Sequence, residues 1–280
     1  QQYSTQRIGD VKEIIGDFSS FSAVELVDQN PIGKSSRSNP VTYVKAYDSI
    51  RELFSTMPIA KQRGFKTKHF SFNVDGGRCD NCQGEGEEVV EMQFMADLHL
   101  TCEECNGKKF KEEVLEVEFK QKSIYDVLNL TVEEAVDFFR GQKTIVNKLL
   151  PLQEVGLGYV KLGQSSNSLS GGEAQRIKLA TFLAKSQNKD RVLFIFDEPT
   201  TGLHFHDIKK LLKSFNALID KGHSVVVIEH NLDVVKCSDW VIDLGPEGGD
   251  RGGELMFAGT PEDLAKCKTS ITGQFLKEKM

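Results

Sequence analysis

The sequence predicts an α/β fold: a mostly parallel sheet covered by helices, with a helical region and a small four-cysteine metal module inserted into it. Three observations carry this expectation. In the second half, the short apolar runs VLFIF (192–196), SVVVI (224–228) and WVIDL (240–244) alternate with helix-like stretches, the pattern of strands buried on both faces. Ahead of them, four of the six cysteines stand as two C-x-x-C pairs. Other segments place apolar residues at three- and four-residue spacing, the period of an amphipathic helix.

Taken in order, residues 1–22 are weakly patterned and read as starting inside a domain, and Val24 to Val27 form a short strand. The stretch PIGKSSRSNP (31–40) contains Gly33-Lys34-Ser35, which looks like the end of the phosphate loop G-x-x-x-x-G-K-[ST]. Asp28 stands where that loop needs its first glycine, Pro31 supplies no N–H, and turn formers follow where a helix should open. The stretch therefore reads as a polar surface loop, and no other match to the pattern occurs. Thr42 to Phe54 reads as one helix, and KQRGFKTKH (61–69) as a basic and aromatic loop. A Gly-rich region with strand-like pieces spans Cys79 to Cys105, and EVLEVEF (113–119) alternates like a strand. Thr131 and Glu134 make a capping box. A further helix is expected to stop at Leu150 before Pro151, and a second short one to end near Gly156. Helices are expected again around Phe205 to Ile219 and Asn231 to Cys237.

Composition narrows the function classes. A chain of 280 residues can bury a real core, and its 27% charged content is that of a soluble protein. No apolar run approaches the ~18 residues that would span a membrane. The start lacks the basic-then-apolar pattern of a secretory signal, so a cytoplasmic protein is expected. The net charge of −6 argues against a uniformly basic nucleic-acid binder, although a local basic patch would suffice for phosphate contact.

Four clusters carry chemistry. In LSGGEAQRIKLA (169–180), Ser170 can cap a helix whose first turn holds Gly171 and Gly172, leaving N–H groups open to phosphate oxygens. The strand VLFIF delivers Asp197 and Glu198 at its carboxyl end, where open α/β sheets bind ligands. Asp197 suits Mg²⁺ held through water, and Glu198 suits a general base acting on water. His230, after the next strand, can reach a γ-phosphate. Finally, Cys79, Cys82, Cys102 and Cys105 fit C-x₂-C-x₁₅₋₂₀-C-x₂-C, a closed tetrahedral site of four thiolates for structural Zn²⁺. Gly84, Gly86 and Gly107 behind the pairs allow left-handed turns; Cys237 and Cys267 are single. Near the module, Lys61, Arg63, Lys66, Lys68, His69 and Arg78, with Phe65 and Phe70, suit phosphate contacts along a duplex.

With these motifs in one order, the chain resembles the ATP-binding-cassette ATPases: LSGGE looks like their signature, VLFIFDEP like Walker B, TGLH (201–204) like the D-loop, and His230 like the switch histidine. Gln29 then falls at the Q-loop glutamine. Glu173 joins Ser170, Gly171 and Gly172 as signature residues facing ATP, and the required P-loop would lie upstream of residue 1. A zinc module between Q-loop and signature is unusual for transporters. DQNPIGKSSRSNPVTY, FSFNVDGGRCDNCQGEG and VIEHNLDVVKCSDWVIDLGPEGG are similar to the UvrA family of bacterial nucleotide excision repair, in its second ATPase half.

The resemblance implies a homodimer that uses ATP and Mg²⁺, binds lesion-containing duplex DNA and loads UvrB. It implies a partial ATPase core at 1–56, the zinc module at 57–122, a helical signature region at 123–168 and the rest of the core at 169–280. It also implies that the chain alone is a poor ATPase. Two alternatives stand beside it: another ATP-binding-cassette ATPase, and a non-enzymatic DnaJ-like zinc module, suggested by CDNCQGEG and CEECNG.

Overall fold

The computed structural model describes residues 20–33, 35, 37–90, 92, 97–184, 191–247, 249 and 252–280. Most of the weakly patterned start, and Lys34 of the GKS stretch, lie outside the described residues. The core begins with β1 (Ala23–Val27). Among the described residues of the loop that follows, Arg37 N–H donates to Ser35 Oγ, Ser38 N–H to the Ser35 carbonyl, and Ser166 N–H to the Ser38 carbonyl, as in a turn.

Where one helix was expected over 42–54, two form: α1 (Pro40–Tyr43) and α2 (Ala46–Ser55). Asn39 caps the first with Pro40 at its first position. Lys45 breaks the run in a left-handed conformation (φ 58°), its carbonyl taken by Lys148 Nζ at 2.8 Å. A short α3 (Pro58–Gln62) and a 3₁₀ turn (Thr67–Phe70) follow, so the basic segment is partly helical. Buried Tyr47 ties α2 to that turn by donating its hydroxyl to the Phe70 carbonyl at 2.7 Å.

The cysteine module carries an antiparallel hairpin, β2 (Glu87–Val90) and β3 (Leu98–Thr101), exposed along both strands. After it, the expected strand over 113–119 is corrected. The chain makes a helical turn α4 (Glu112–Leu115) and only the two-residue β4 (Glu118–Phe119), paired with β5 (Lys122–Ser123). Val114 and Val117, three apart, are both fully buried, so the helical spacing prevails over the alternation.

The helical region comprises α5 (Ile124–Asn129), α6 (Val132–Phe138) and α7 (Lys143–Glu154). Thr131 and Glu134 form the expected capping box of α6. Pro151 does not break α7, because its ring is buried in the core and the helix runs on to Glu154 before Gly156 turns left-handed (φ 84°). Packing there offsets the lost backbone bond.

The signature stretch forms α8 (Gly171–Ala184), followed by β6 (Val192–Asp197), α9 (Phe205–Asp220), β7 (Ser224–Ile228) and a short α10 (Leu232–Val235). The sheet is parallel with order β1-β6-β7. Its inner face presents Val27, Phe194 and Phe196, each no more than 2% exposed, to α8 and α9. Phe182 lies 5.0 Å from Phe194, and Phe215 4.7 Å from Phe196.

Two expectations fail here. The sheet is covered on one face only among the described residues: Leu26, Val226 and Ile228 on the other face are 61, 47 and 53% exposed. WVIDL does not join the sheet either. β8 (Val241–Gly245) pairs antiparallel with β9 (Glu254–Gly259), because the short connection returns the chain as a hairpin. α11 (Pro261–Leu264) and α12 (Ile271–Lys279) complete the chain.

Tyr47→Phe removes one buried hydrogen bond while leaving the ring in place, and is expected to cost about 1 kcal/mol. The cost should appear as a lower urea midpoint at unchanged slope. An unchanged midpoint would show that the bond adds nothing.

Candidate nucleotide half-site and metal centre

The start of α8 is built as a reciprocal cap. Ser170 Oγ accepts from the Glu173 N–H at 3.3 Å, and Glu173 Oε2 accepts from the Ser170 N–H at 2.8 Å. Glu173 Oε1 accepts from the Tyr159 hydroxyl at 2.7 Å. Partial burial works to raise the Glu173 carboxyl, but the bonds from Tyr159 and Ser170 outweigh it and hold it below the usual range. Both oxygens of Glu173 are thus engaged within the chain. At this helix end Ser170 is exposed and Gly171 partly so, while Gly172 is buried near the Thr201 carbonyl. Gly171 must be glycine for a close approach: a Cβ there would lie 2.8 Å from Gln29 Oε1 and 2.9 Å from Gln29 Cβ.

One turn further along, buried Gln175 donates its side-chain amide to the carbonyls of Val27 (2.6 Å) and Asp197 (3.1 Å). It ties α8 to the carboxyl ends of β1 and β6. Lys178 adds an ion pair to Asp28. Burial works to raise the Asp28 carboxyl, yet Lys178 and Asn30 hold it below its ordinary value.

At those strand ends the predicted residues come together. Glu198 sits in a left-handed conformation (φ 43°), a strained position for a residue with a side chain. Three bonds hold it there: its N–H donates to the Ile228 carbonyl at 2.9 Å, and its own carbonyl accepts from Gln29 Nε2 at 3.2 Å and from the Thr201 N–H at 3.1 Å. The turn aims the Glu198 carboxylate toward His230, whose Nδ1 lies 3.7 Å from Glu198 Oε1. Asp197, Glu198 and His230 are all exposed. Asp197, Glu198, Gln29 and His230 therefore share one end of the sheet, with Gly171 against Gln29. Sequence reasoning missed Gln175, Tyr159, Thr200 and Glu229, which work by bridging segments far apart in the chain.

The four cysteine sulfurs lie within 4.8 Å of one another, all buried. The Cys79–Cys102 and Cys82–Cys105 separations are 3.9 and 3.6 Å. Tetrahedral ligation at about 2.3 Å requires sulfurs about 3.8 Å apart, so the quartet fits a single ion. Gly86 N–H and Asn81 Nδ2 point at Cys82 and Cys102 sulfurs (3.2 and 3.4 Å), as donors do around thiolates. Gly84 is left-handed (φ 86°), and a Cβ there would strike the Phe72 carbonyl at 2.1 Å. Burial pushes the Cys105 thiol up to about 12 and raises Cys79; at Cys102, N–H donors from Cys105 and Asn81 overcome the same burial and bring it to about 7. Four buried thiols do not ionise together without a cation.

The basic segment is split. Lys61, Lys66 and Lys68 are exposed and make no ion pair among the described residues. Arg63 is committed to the Glu113 carbonyl (2.9 Å) and to Glu116, and Arg78 to Asp75 (2.6 Å). His69 Nδ1 accepts the Lys66 N–H at 2.9 Å, and its ring stacks on Phe65. Phe70 is fully buried, so it is core and no platform for bases.

A parallel strand ending in an Asp-Glu pair, with a glutamine, a histidine and a Ser-Gly-Gly helix start gathered at the same end of the sheet, belongs to an ATP-binding-cassette-type fold. Relatives specify it further. The chain is 54% identical over 273 residues to UvrABC system protein A of Aquifex aeolicus (98% of this chain, 29% of that protein). It is 54% identical over 270 residues to that of Clostridium perfringens (96 and 28%). The crystal structure of UvrA2 from Deinococcus radiodurans superposes with a TM-score of 0.88 at 46% identity, over 94% of this chain and 32% of that one. No protein-family model matches. The chain is a homologue of UvrABC system protein A and spans less than a third of those relatives' length. The match takes in both the cysteine module and the strand-end motifs, which leaves the DnaJ-like reading without support.

Because Cys79 and Cys105 are held protonated at neutral pH, a bound divalent ion must displace their protons. Metal affinity should therefore rise from pH 6 to pH 8, measured by chelator competition on the reduced chain. Equal affinity at both would contradict thiolate ligation.

Proposed function

We propose that this chain is one ATPase half of a nucleotide-excision-repair protein that binds lesion-containing duplex DNA, works as a homodimer in the cytoplasm and loads UvrB. The observation that carries the reading is the convergence of Gln29, Glu198 and His230 at the carboxyl end of the sheet. Asp197 holds Mg²⁺ through water, and Glu198 orients the attacking water and takes its proton. His230 hydrogen-bonds the γ-phosphate, and Gln29 senses its presence through the Glu198 turn. Ser170, Gly171 and Gly172 present hydroxyl and N–H donors to a nucleotide held by another ATPase half, with Glu173 holding that helix end in shape.

The phosphate cradle comes from outside the described residues. The uncovered sheet face and Asp28 and Pro31 in the stretch before Gly33 support this reading, in which the chain alone is a poor ATPase. The cysteine quartet holds structural Zn²⁺, in a closed site that leaves no position for substrate. The division into partial core (1–56), zinc module (57–122), helical signature region (123–168) and remaining core (169–280) accompanies this reading. Lys61, Lys66 and Lys68 make phosphate contacts that position the duplex without reading its sequence. Arg63, His69 and Arg78 shape that surface from within.

In the complete polypeptide, Glu198→Gln is expected to lower kcat by about 10²- to 10⁴-fold while nucleotide binding persists. Undiminished turnover would remove Glu198 from the reaction. Neutralising Lys66 and Lys68 together should flatten the dependence of log K on log salt, by roughly 0.9 for each phosphate that the pair neutralises in the wild type. An unchanged slope would take the segment out of the DNA interface.

A further inference from the structure

We infer that Glu229 is a positioning residue for hydrolysis: a carboxylate clamp that fixes the turn carrying Glu198 against the turn carrying His230. Its catalytic consequence rests on the ATPase reading above, while the clamp stands on geometry alone. Glu229 directly follows the last residue of β7 and is half-buried. Its Oε1 accepts from the Thr200 N–H at 2.9 Å and from the Thr200 hydroxyl. Its Oε2 accepts from the N–H groups of His230 (2.9 Å) and Asn231 (3.0 Å).

Four donors from two separate loops thus converge on one carboxylate. Thr200 is buried and lies two residues beyond Glu198. Asn231 in turn accepts the Asp233 N–H with its side chain and so starts α10. The clamp therefore links the segment after β6 to the segment after β7. A carboxylate so occupied serves as an acceptor, and the role of base is left to Glu198.

The need for a clamp follows from the side chains it serves. Glu198 Oε1 and His230 Nδ1 stand 3.7 Å apart, too far for a hydrogen bond, and their side chains are 50 and 80% exposed. They do not hold each other, so their spacing is inherited from the two backbones. Those backbones are joined by the Glu198 N–H to Ile228 carbonyl bond and, beyond it, by Glu229. Glutamine in place of Glu229 has the same shape, but its NH₂ would face either Thr200 or the His230–Asn231 pair, donor against donor.

The test uses Glu229→Gln in the complete polypeptide for turnover and in this chain for amide exchange. Expected are a kcat lower by about 10²-fold with KM within about twofold, the signature of misplaced catalytic groups at intact binding. Faster exchange at Thr200, His230 and Asn231 should accompany it, with β6 and α9 still protected. Thr200→Val, which deletes one donor to the same carboxylate, should give a smaller kcat loss that does not add to that of Glu229→Gln. It decides the matter if the glutamine variant does not fold. Wild-type kcat in either variant, or additive losses, would overturn the clamp. If the unsubstituted polypeptide hydrolyses no ATP, the ATPase reading fails. The clamp is then judged by exchange alone, and unaltered exchange at Thr200, His230 and Asn231 overturns it.

Discussion

The carboxamide of Gln175 is the constraint on which the rest of the site depends. It lies on the inner side of α8, 1% exposed, and donates to the last carbonyl of β1 and the last carbonyl of β6. Each of these carbonyls is an acceptor that needs a donor. One side chain supplies both, and in doing so it sets where α8 crosses the strand ends. Gly171 then meets Gln29 because the helix starts one turn before Gln175. The Glu198 turn begins at the carbonyl that Gln175 holds. Few interactions in the chain place so many others.

The acidic residues at the strand ends show how environment separates like groups into different tasks. Glu173 is saturated by a backbone N–H and a phenol, and behaves as part of a helix cap. Glu229 is saturated by four donors from two loops. Glu198 alone among the three has its carboxylate in the open, on a left-handed residue that turns it toward His230. The chemistry available to each is decided by how many donors it already has. The strain at Glu198 persists because bonds to its N–H and its carbonyl over-determine the turn.

What was legible in the sequence was local or periodic. The cysteine spacing, the capping box of Thr131 with Glu134, the apolar strand ending in Asp197-Glu198 and the glycines of the knuckles each advertise themselves within a few residues. What was not legible depended on contacts distant in sequence. The break at Lys45 involves a lysine 103 residues away, and Gln175 reaches a carbonyl 148 residues away. Helix α7 passes through Pro151 because the surrounding core accepts its ring. WVIDL has the composition of a central strand, but the chain returns at once and pairs with it as a hairpin. Glu198 could be read from the strand that delivers it, whereas Glu229 could not, since nothing in IEHN shows that Thr200 will be its neighbour.

The β2–β3 hairpin rises between the two cysteine pairs, with its eight strand residues exposed and its base held by Cys82, Gly86 and Cys102. A fold that closes its framework below an arm in this way separates the arm's history from that of the core. Lengthening a flexible connection costs only about 0.6 kcal/mol for each doubling, and β2 and β3 pair with each other and with no strand of the parallel sheet among the described residues. A change in the arm's length or polarity therefore leaves the positions of the four thiols and of the strand ends as they are.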